Sequence, residues 1–381
     1  MSATIWGVGT SMFGKQPGVS GPELVRQAVF EALEDADVDV HQVDAVYGGT
    51  VFGAPGAIQR ALQAIGIIEV PIITIENACA TGTTAFHEAR AGVDRGRFER
   101  VLALGVETMT LHFGGAIHPE PTDREGRQGM ALPSVYAMSA SRYVHEFGVT
   151  PEQLASVSVK NHRHATGNPR AQHQRVFGVD EVLASRMVAD PLTLLQCCSI
   201  ADAAAAAVIG PDRSRPGDVT IRSSALRSGK LWDHRSSYVW GWEVVHDTAR
   251  VAYEQASVDV RDIDVFELHD AFTIGEIVTI EALGLAELGA GAKLTESGHT
   301  TIGGPQVVNP SGGLLSRGHP LGATGLAQLA EIVWQLRGEA GARQVEGARL
   351  GVVETMGGGT AGIDGNGCVV AVLESTGMRS P

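Results

Sequence analysis

The two halves of the chain repeat one order of short motifs, and this repeat limits the fold more than any other feature. The first half carries, in order, Thr81-Gly82, an amphipathic segment, Arg95-Gly96 and Val106-Glu107-Thr108-Met109. The second half carries Thr324-Gly325, an amphipathic segment, Arg337-Gly338 and Val353-Glu354-Thr355-Met356. A chance match of one tetrapeptide would not reproduce the surrounding order. We therefore predict a duplication, with a site at the junction of the two halves.

Short apolar runs alternate with amphipathic segments along most of the sequence. Apolar side chains recur at helical spacing in residues 21–36, 83–94, 244–256 and 326–336. Strands are predicted at residues 5–7, 45–47, 72–75, 101–105, 219–223, 265–268, 350–353 and 369–373. Strands that alternate with helices are typical of an α/β fold with a parallel sheet. We interpret the alanine-rich residues 199–209 as a helix that leads into a strand.

A polar, proline-containing region interrupts this pattern at residues 112–190. We predict that it forms an inserted loop domain that covers one end of the sheet. Residues 1–111 and 191–241 would then form the N-terminal half, and residues 242–381 the C-terminal half.

Charge and cysteine content exclude several classes of protein. The net charge of -14 argues against binding to nucleic acid or to an acidic membrane surface, because both need a surplus of Lys and Arg. The four cysteines show no C-x-x-C spacing, so we expect neither a zinc site nor a disulfide framework. The sequence starts without a basic-apolar leader and contains no run of 18 apolar residues, so a cytoplasmic protein is expected.

Cys79 is the first candidate for chemistry. It lies in Glu76-Asn77-Ala78-Cys79-Ala80-Thr81-Gly82, after an apolar run and before a predicted helix. The positive end of a helix dipole favours a thiolate, so we expect the pKa of Cys79 to fall below its usual value of ~8.5. The small neighbours leave room for a substrate to reach the sulfur. The alternative is a buried structural cysteine.

Two histidines and a glycine-rich stretch are the other candidates. His319 lies in Gly318-His319-Pro320-Leu321-Gly322-Ala323-Thr324-Gly325, where a rigid loop would hold one imidazole as a general base or oxyanion donor. His269 lies at a predicted strand end, where it would polarise a carbonyl, while Asp270 would cap the next helix. The three glycines at 357–359 would present bare N–H groups for an oxyanion hole. The alternatives are a capping or solvent-facing histidine and a simple glycine turn.

Together these stretches resemble the thiolase superfamily over nearly the whole chain. The Cys79 stretch is similar to the nucleophile motif of the family, the run at 318–325 to its second motif and the run at 357–359 to its C-terminal glycine motif. His269-Asp270-Ala271-Phe272 stands where the family has Asn-Glu-Ala-Phe, and it resembles the sterol-carrier-protein branch. The resemblance implies a five-layered α-β-α-β-α fold built from two similar halves, with an inserted loop domain.

The resemblance also implies roles for these residues. Cys79 would attack an acyl thioester and hold the acyl group, and His319 would activate that thiol. His269 would take the place of the family asparagine that fixes a water in the oxyanion hole. The backbone N–H groups of Cys79 and Gly357 would stabilise the tetrahedral intermediate. The substrate would be a coenzyme A thioester, with no permanently bound cofactor, and the assembly a homodimer or homotetramer.

The chain departs from the family pattern in one respect. Biosynthetic and degradative thiolases carry a second cysteine at the start of the C-terminal glycine motif, where this chain has Thr355. Many sterol-carrier-type thiolases carry it within a His-Asp-Cys-Phe motif, where this chain has Ala271. A threonine hydroxyl is a poor base. We expect acyl-enzyme formation to be retained, with either His269 as the acid/base or an acceptor that needs none.

Basic and histidine residues cluster after residue 159. Coenzyme A phosphates are the predicted ligands of Lys160, Arg163, Arg170 and Arg175, although a solvated surface would show the same pattern. A metal site would need regular ligand spacing and a fourth partner, which are not found around His162, His164 and His173. We therefore predict no metal.

Two further patterns are interpreted as structural. Tyr238, Trp240 and Trp242 alternate as on one face of a strand, and would pack in the core or line an acyl or pantetheine pocket. Cys197 and Cys198 precede the alanine-rich segment and are expected to be buried structural residues.

Three functions remain open on the sequence. The first is a CoA-dependent acyltransferase, either a 3-ketoacyl-CoA thiolase or an acetyl-CoA C-acyltransferase, that works through Cys79. The second is a thiolase-like acyltransferase that uses a non-CoA acceptor together with an accessory protein subunit. The third is a non-catalytic protein that binds acyl-CoA or lipid.

Overall fold

The computed structural model describes residues 2–117, 123–233, 235–358 and 362–377. The strands are β1 Ala3–Thr10, β2 Ala45–Gly49, β3 Ile72–Ile75, β4 Val101–Thr108, β5 Met187–Ala189, β6 Leu192–Thr193, β7 Asp202–Pro211, β8 Val219–Arg227, β9 Val265–Glu267, β10 Val307–Val308, β11 Leu350–Gly357 and β12 Gly367–Ser375. The helices are α1 Gly21–Ala36, α2 Ala57–Gln63, α3 Thr81–Asp94, α4 Arg124–Arg127, α5 Leu132–Phe147, α6 Pro151–Ala165, α7 Val179–Ala184, α8 Trp242–Ala256, α9 Thr273–Ala282, α10 Gly291–Glu296, α11 Gly313–Arg317 and α12 Leu321–Arg337.

The duplication is visible in the sheets. Within the described ranges, one half orders its strands β3-β2-β4-β7-β1 and the other orders them β10-β9-β11-β12-β8. Strand directions match as well, because the last three strands of each order pair antiparallel and the others pair parallel. The two sheets join where β1 meets β8, through Thr4 with Thr220 and Ile5 with Val219. The sequence repeat therefore corresponds to two copies of one sheet.

Helices and sheets form five layers. Apolar side chains of α1 and α2 cover the outer face of the first sheet. The central layer consists of α3 and α12, which are packed between the two sheets. Residues of α8 and α9 cover the outer face of the second sheet. This arrangement agrees with the α-β-α-β-α fold implied by the sequence.

The boundary between the halves differs from the predicted one. Residues 219–227 were assigned with the N-terminal half, but β8 pairs along its length with β12 of the second sheet. The physical reason is the duplication itself, since each half starts with an antiparallel strand, β1 or β8, that leads to an outer helix. The second half therefore begins at β8 rather than at residue 242.

The alanine-rich segment is the main error in the secondary-structure prediction. Residues 202–211 form β7, a strand between β1 and β4, and not a helix. Its residues are buried, because α1 packs on one face of the sheet and the central helices pack on the other. Alanine favours helices in isolation, but here its small side chain lets both helix layers approach the sheet, and packing overrides propensity.

The predicted insertion contains α4 to α7 and β5. Its helices α5 and α6 pack against α9, and α6 also contacts α10 and α11. A buried cluster that includes Tyr136, Leu154, Phe272 and Leu314 joins this region to the C-terminal half. In the described part of the chain, none of the helices is both long and apolar enough to cross a membrane.

Candidate active site at the junction of the two halves

Cys79 lies in a tight turn between β3 and α3. The preceding residue, Ala78, has a positive φ of 49°, which is uncommon for a residue with a Cβ and costs about 1–2 kcal/mol. The turn is held by Thr81, whose hydroxyl accepts from the N–H of Asn77 at 2.8 Å and donates to the carbonyl of Ala78 at 2.7 Å. The side chain of Cys79 is thereby fixed just before α3 begins, with 4% of its surface exposed.

His319 meets Cys79 from the other half of the duplication. Its Nε2 lies 3.2 Å from the sulfur of Cys79, and its Nδ1 lies 2.8 Å from the hydroxyl of Thr324. That hydroxyl donates its one hydrogen to the carbonyl of Pro320 at 3.0 Å, so it can only accept from His319. Nδ1 therefore carries the hydrogen, and Nε2 is free to take the proton of the thiol.

Close helix packing brings these two residues together. A Cβ added to Gly82 of α3 would lie 2.9 Å from the carbonyl oxygen of Gly322, and one added to Gly325 of α12 would lie 2.8 Å from the N–H nitrogen of Thr83. Only glycine allows this approach of the two helix N-termini. The duplicated Thr-Gly pairs of the sequence are thus the contact that joins Cys79 to His319.

The electrostatic state of the pair corrects one expectation. Burial raises the pKa of Cys79 to about 12, and nearby Glu107 and Glu76 add to this, while the N–H groups of Gly358 and Cys79 act in the opposite direction. Burial likewise holds the pKa of His319 well below its usual range, with His269 and Arg317 contributing. Loss of hydration outweighs the helix dipole, so the resting pair is a neutral thiol and a neutral imidazole.

His269 completes the group. It follows β9, and its backbone N–H donates to Glu354 at 3.0 Å. Its ring lies 5.3 Å from that of His319, and one ligand atom each of Cys79, His269 and His319 lie within 4.8 Å of one another. Both ring nitrogens are buried without a hydrogen-bond partner among the described residues, and burial lowers the pKa of His269 to about 3. A neutral imidazole with unused polar atoms therefore faces the nucleophile.

The glycine motif closes the site over Cys79. Gly357 ends β11, and a Cβ there would lie 2.2 Å from the carbonyl oxygen of Asn77, so the backbone passes directly over the nucleophile turn. The N–H of Gly358 acts on the sulfur of Cys79. Gly359, the third glycine of the predicted motif, lies outside the described residues.

The two positions that lack the second cysteine have defined contacts. The hydroxyl of Thr355 donates to Oε1 of Gln328 at 2.6 Å, in a fully buried site. The carbonyl of Ala271 accepts from the backbone N–H of Cys198 at 2.8 Å. Sequence reasoning gave Cys198 no role, because only the fold brings residues 197–200 to this place.

An apolar wall adjoins the catalytic group. A Cβ at Gly358 would lie 2.9 Å from Trp240 and 3.6 Å from Leu132. Tyr136 stacks on Phe272 with ring centroids 4.4 Å apart and meets Trp240 edge-on at 5.3 Å. Tyr136 and Trp240 also line a cavity with His269. An apolar acyl group would fit beside this wall.

The alternating aromatic residues do not lie on a strand. They form a turn into α8, where Tyr238 stacks on Trp242 with ring centroids 3.9 Å apart. The predicted strand face is wrong because Gly241, with a positive φ of 90°, breaks the extended backbone. Of the three, Trp240 lies on the wall next to the site.

The basic residues predicted to bind coenzyme A do not form one cluster. Lys160 is buried and pairs with Glu276 at 2.8 Å, so its charge is not available to a phosphate. Arg170 pairs with Glu31 and donates to the carbonyl of Thr10. For these two residues the prediction is wrong, since α6 turns one face inward and partners from distant segments neutralise it.

The other two basic residues lie on the surface. Arg163 is exposed on α6, and Arg175 forms an exposed ion pair with Glu181 at 2.7 Å. Their role toward coenzyme A stays a prediction.

Neighbouring polar residues have structural partners. Asp270 accepts from the N–H of Leu314 at 2.7 Å, so it caps α11 and not the next helix, α9, as predicted. Nδ1 of His164 lies 3.0 Å from the carbonyl oxygen of Asn309, and Nδ1 of His162 lies 2.8 Å from the hydroxyl of Ser316. These contacts hold the insertion against the C-terminal half.

Comparison with known families agrees with this site. Residues 7–213 match the family model described as "Thiolase, N-terminal domain", and residues 232–363 match "Thiolase C-terminal domain-like". The chain is similar over its whole length to a solved structure titled "Ltp2-ChsH2(DUF35) aldolase", with a TM-score of 0.84 and 24% identity, covering 100% of this chain and 99% of that one. It is also similar to human mitochondrial 3-ketoacyl-CoA thiolase, with a TM-score of 0.74 and 16% identity, covering 98% and 99%. These two likenesses show the fold.

Sequence relatives are closer. The acetyl-CoA acetyltransferase of Methanothermobacter thermautotrophicus is 41% identical, over 94% of this chain and 97% of its own length. Human sterol carrier protein 2 is 40% identical, over 93% and 70%. The benzoylsuccinyl-CoA thiolase subunit BbsB of Thauera aromatica is 39% identical, over 93% and 94%. The chain therefore belongs to the thiolase family and is a thiolase-type acyltransferase that acts on acyl-CoA.

Proposed function

We propose that the protein is a 3-ketoacyl-CoA thiolase or acetyl-CoA C-acyltransferase that works through an acyl thioester on Cys79. The observation that carries the proposal is the 3.2 Å contact between the sulfur of Cys79 and the unprotonated Nε2 of His319. Coenzyme A thioesters are proposed as substrates and not as resident cofactors.

In the first step the thiol of Cys79 attacks the carbonyl carbon of the bound thioester or ketone. Its proton passes to Nε2 of His319 as the carbon–sulfur bond forms, because the resting thiol is neutral. Proton transfer in concert with attack replaces a preformed thiolate. The later departure of Cys79 from the acyl group reverses this transfer.

The developing oxyanion needs hydrogen-bond donors. A buried neutral imidazole donates a hydrogen bond without charging, and the unused ring nitrogens of His269 suit that role. The N–H groups of Cys79 and Gly357 are the second proposed donor pair, in line with the family resemblance. The wall formed by Tyr136, Trp240 and Phe272 would hold the apolar part of the acyl group.

The proposal is tested by intact-protein mass spectrometry after incubation with acetyl-CoA and, separately, with a panel of 3-ketoacyl-CoA thioesters. We expect a covalent acyl adduct that disappears in Cys79→Ala, and release of a shortened acyl-CoA when free coenzyme A is added. Tight acyl-CoA binding without any adduct would support a non-catalytic binding protein instead.

A second candidate is an acyltransferase that works with an accessory protein subunit and a non-CoA acceptor. It is favoured by Thr355 and Ala271 at the positions of the second cysteine. One relative is named as a thiolase subunit, and one structural neighbour is titled as a complex with a DUF35 protein. Under this proposal the isolated chain would acylate Cys79 but leave the acyl group in place when coenzyme A is added. Steady turnover by the isolated chain would exclude the need for such a subunit.

The assembly of the chain itself is a separate question. The family resemblance supports a homodimer or homotetramer, which light scattering of the purified protein at micromolar concentration would distinguish from a monomer.

A further inference from the structure

Cys198 lies between the two loops that carry the catalytic histidines. Its backbone N–H donates to the carbonyl of Ala271 at 2.8 Å, two residues after His269. The carbonyl of the next residue, Ser199, accepts from the backbone N–H of His319 at 3.0 Å. The chain at Cys198 is therefore fixed on both sides by the active site.

The two adjacent cysteines face different surroundings. The thiol of Cys197 donates to the carbonyl of Thr193 at 3.3 Å, within its own segment. The backbone of Cys197 is extended, with φ −118° and ψ 141°, so the side chain of Cys198 projects to the opposite side. Cys198 packs against the buried cluster that contains Tyr136, Ala271 and Phe272. A charge on Cys79 or Asp270 raises the pKa of Cys198 further than burial alone, which agrees with a sulfur close to the nucleophile.

The other groups near Cys79 are already committed to other bonds or roles. The hydroxyl of Thr355 is bonded to Gln328. His319 holds the proton of Cys79 during the reaction. Ala271 has no polar side-chain atom, but the residue hydrogen-bonded to it carries a thiol. The position of the missing cysteine and the position of Cys198 are thus direct neighbours across one hydrogen bond.

We propose that Cys198 is the second catalytic cysteine of this enzyme, supplied from the segment before β7 instead of from either of the usual motifs. This inference rests on the proposed thiolase activity.

The proton balance during cleavage is as follows. Cys79 bonds to the keto carbon, and the bond between that carbon and C2 breaks. The thiol of Cys198 gives its proton to C2, so that the shortened acyl-CoA leaves neutral at that carbon. Coenzyme A then attacks the acyl group on Cys79 and passes its thiol proton to the Cys198 thiolate. Departing Cys79 recovers its own proton from His319, and both cysteines return to the thiol form.

The test compares Cys198→Ala with Cys197→Ala, a matched control whose thiol bonds elsewhere. In Cys198→Ala we expect kcat for cleavage of a 3-ketoacyl-CoA to fall by about 10²–10³-fold with KM nearly unchanged. Acetylation of Cys79 by acetyl-CoA should persist, because the coenzyme A thiolate is a good leaving group. Cys197→Ala should keep both activities.

Rescue separates a chemical role from a structural one. The double variant Cys198→Ala with Ala271→Cys returns a thiol to the neighbouring position and should recover at least tenfold of the lost kcat. Cleavage by Cys198→Ala within twofold of wild type would overturn the inference. Loss of Cys79 acetylation in both Cys198→Ala and Cys198→Ser would also overturn it, since the residue would then be structural.

The same experiments distinguish this inference from the proposed function. A wild-type protein that never acylates Cys79 contradicts the thiolase proposal as a whole. A wild-type protein that acylates Cys79 but cleaves no 3-ketoacyl-CoA contradicts only the role of Cys198, because a competent proton donor would then be missing from the chain.

Discussion

The two halves of the molecule share one scaffold and use it for different chemistry. Each half places a glutamate of the repeated Val-Glu-Thr-Met stretch at the same point of its sheet, Glu107 on β4 and Glu354 on β11. Glu107 accepts four hydrogen bonds, from the hydroxyl of Thr50 and the N–H groups of Val51, Phe52 and Gly322. Glu354 accepts from the N–H of His269 and from the thiol of Cys368.

This difference shows how a duplication becomes an enzyme. The first glutamate joins the halves, because Gly322 belongs to the loop that carries His319. The second positions a residue of the site itself, His269. The first half delivers the nucleophile and the second half delivers both histidines, so neither half contains a complete site.

The largest effect is expected from removing one contribution of each half. Cys79→Ala should abolish the acyl adduct and lower turnover by about 10⁴-fold or more, because the covalent route is lost. His319→Ala should lower the rate of acylation by about 10²–10⁴-fold while an adduct still forms slowly. Intact-mass time courses measure both. Equal loss of the adduct in the two variants would contradict the separate roles of the halves.

The contact between the central helices should be nearly as sensitive. Gly325→Ala would force α12 away from Thr83 of α3, since the added Cβ would lie 2.5 Å from the Cγ2 of that threonine. We expect a loss of about 1–3 kcal/mol in the free energy of unfolding. A drop of about 10²-fold in kcat/KM should accompany it, because Cys79 and His319 move apart.

Gly115→Ala is the matched control, as a Cβ there meets no atom within 4 Å. An unchanged kcat/KM in Gly325→Ala would show that the helix contact does not set the distance between Cys79 and His319.

The two glutamates should respond differently to neutralisation. Glu107→Gln leaves an amide NH2 facing four donors, so a loss of about 1–3 kcal/mol of stability is expected. Glu354→Gln faces two donors and should be affected less at pH 5. Urea unfolding of both variants measures the difference, and a larger loss in Glu354→Gln would reverse the comparison.

The pH dependence of Glu354 sharpens this test. Burial raises its pKa from 4.5 to about 7 in the folded protein, so folding favours the protonated form. Its contribution to stability is full below pH 4.5 and is lost as the pH rises through 7, by about 3 kcal/mol at most. Glu354→Gln should therefore gain stability relative to wild type between pH 4.5 and pH 8. A constant difference over this range would exclude a raised pKa.

The smallest effect concerns the turn before Cys79. Ala78→Gly should relieve the positive φ of 49° and raise the free energy of unfolding by up to about 1 kcal/mol, less the chain entropy that glycine adds in the unfolded state. Thermal unfolding measures it, with Ala80→Gly in the same loop as the control. Destabilisation equal to that of the control would mean that the turn carries no strain.

Local patterns predicted much of the fold. The helix at 21–36 and the strand at 72–75 have the predicted bounds, because their spacing of apolar residues and their caps are local signals. Cys79, His269 and His319 do lie together, as the motifs indicated. The alanine-rich strand β7 was missed because its state is decided by two helix layers that come from other parts of the chain.

The sequence by itself determined the duplication, the order of elements and the residues that carry the chemistry, since each is written in short segments. Only the tertiary structure decided their electrical state and neighbours. The pKa of Cys79 rises because burial removes water from its sulfur, which outweighs the local helix end. Lys160 is neutralised by Glu276 from a distant helix, and Cys198 reaches Ala271 only when β7 is inserted between β1 and β4. Burial and long-range contact depend on the whole packed chain, and therefore no segment specifies them alone.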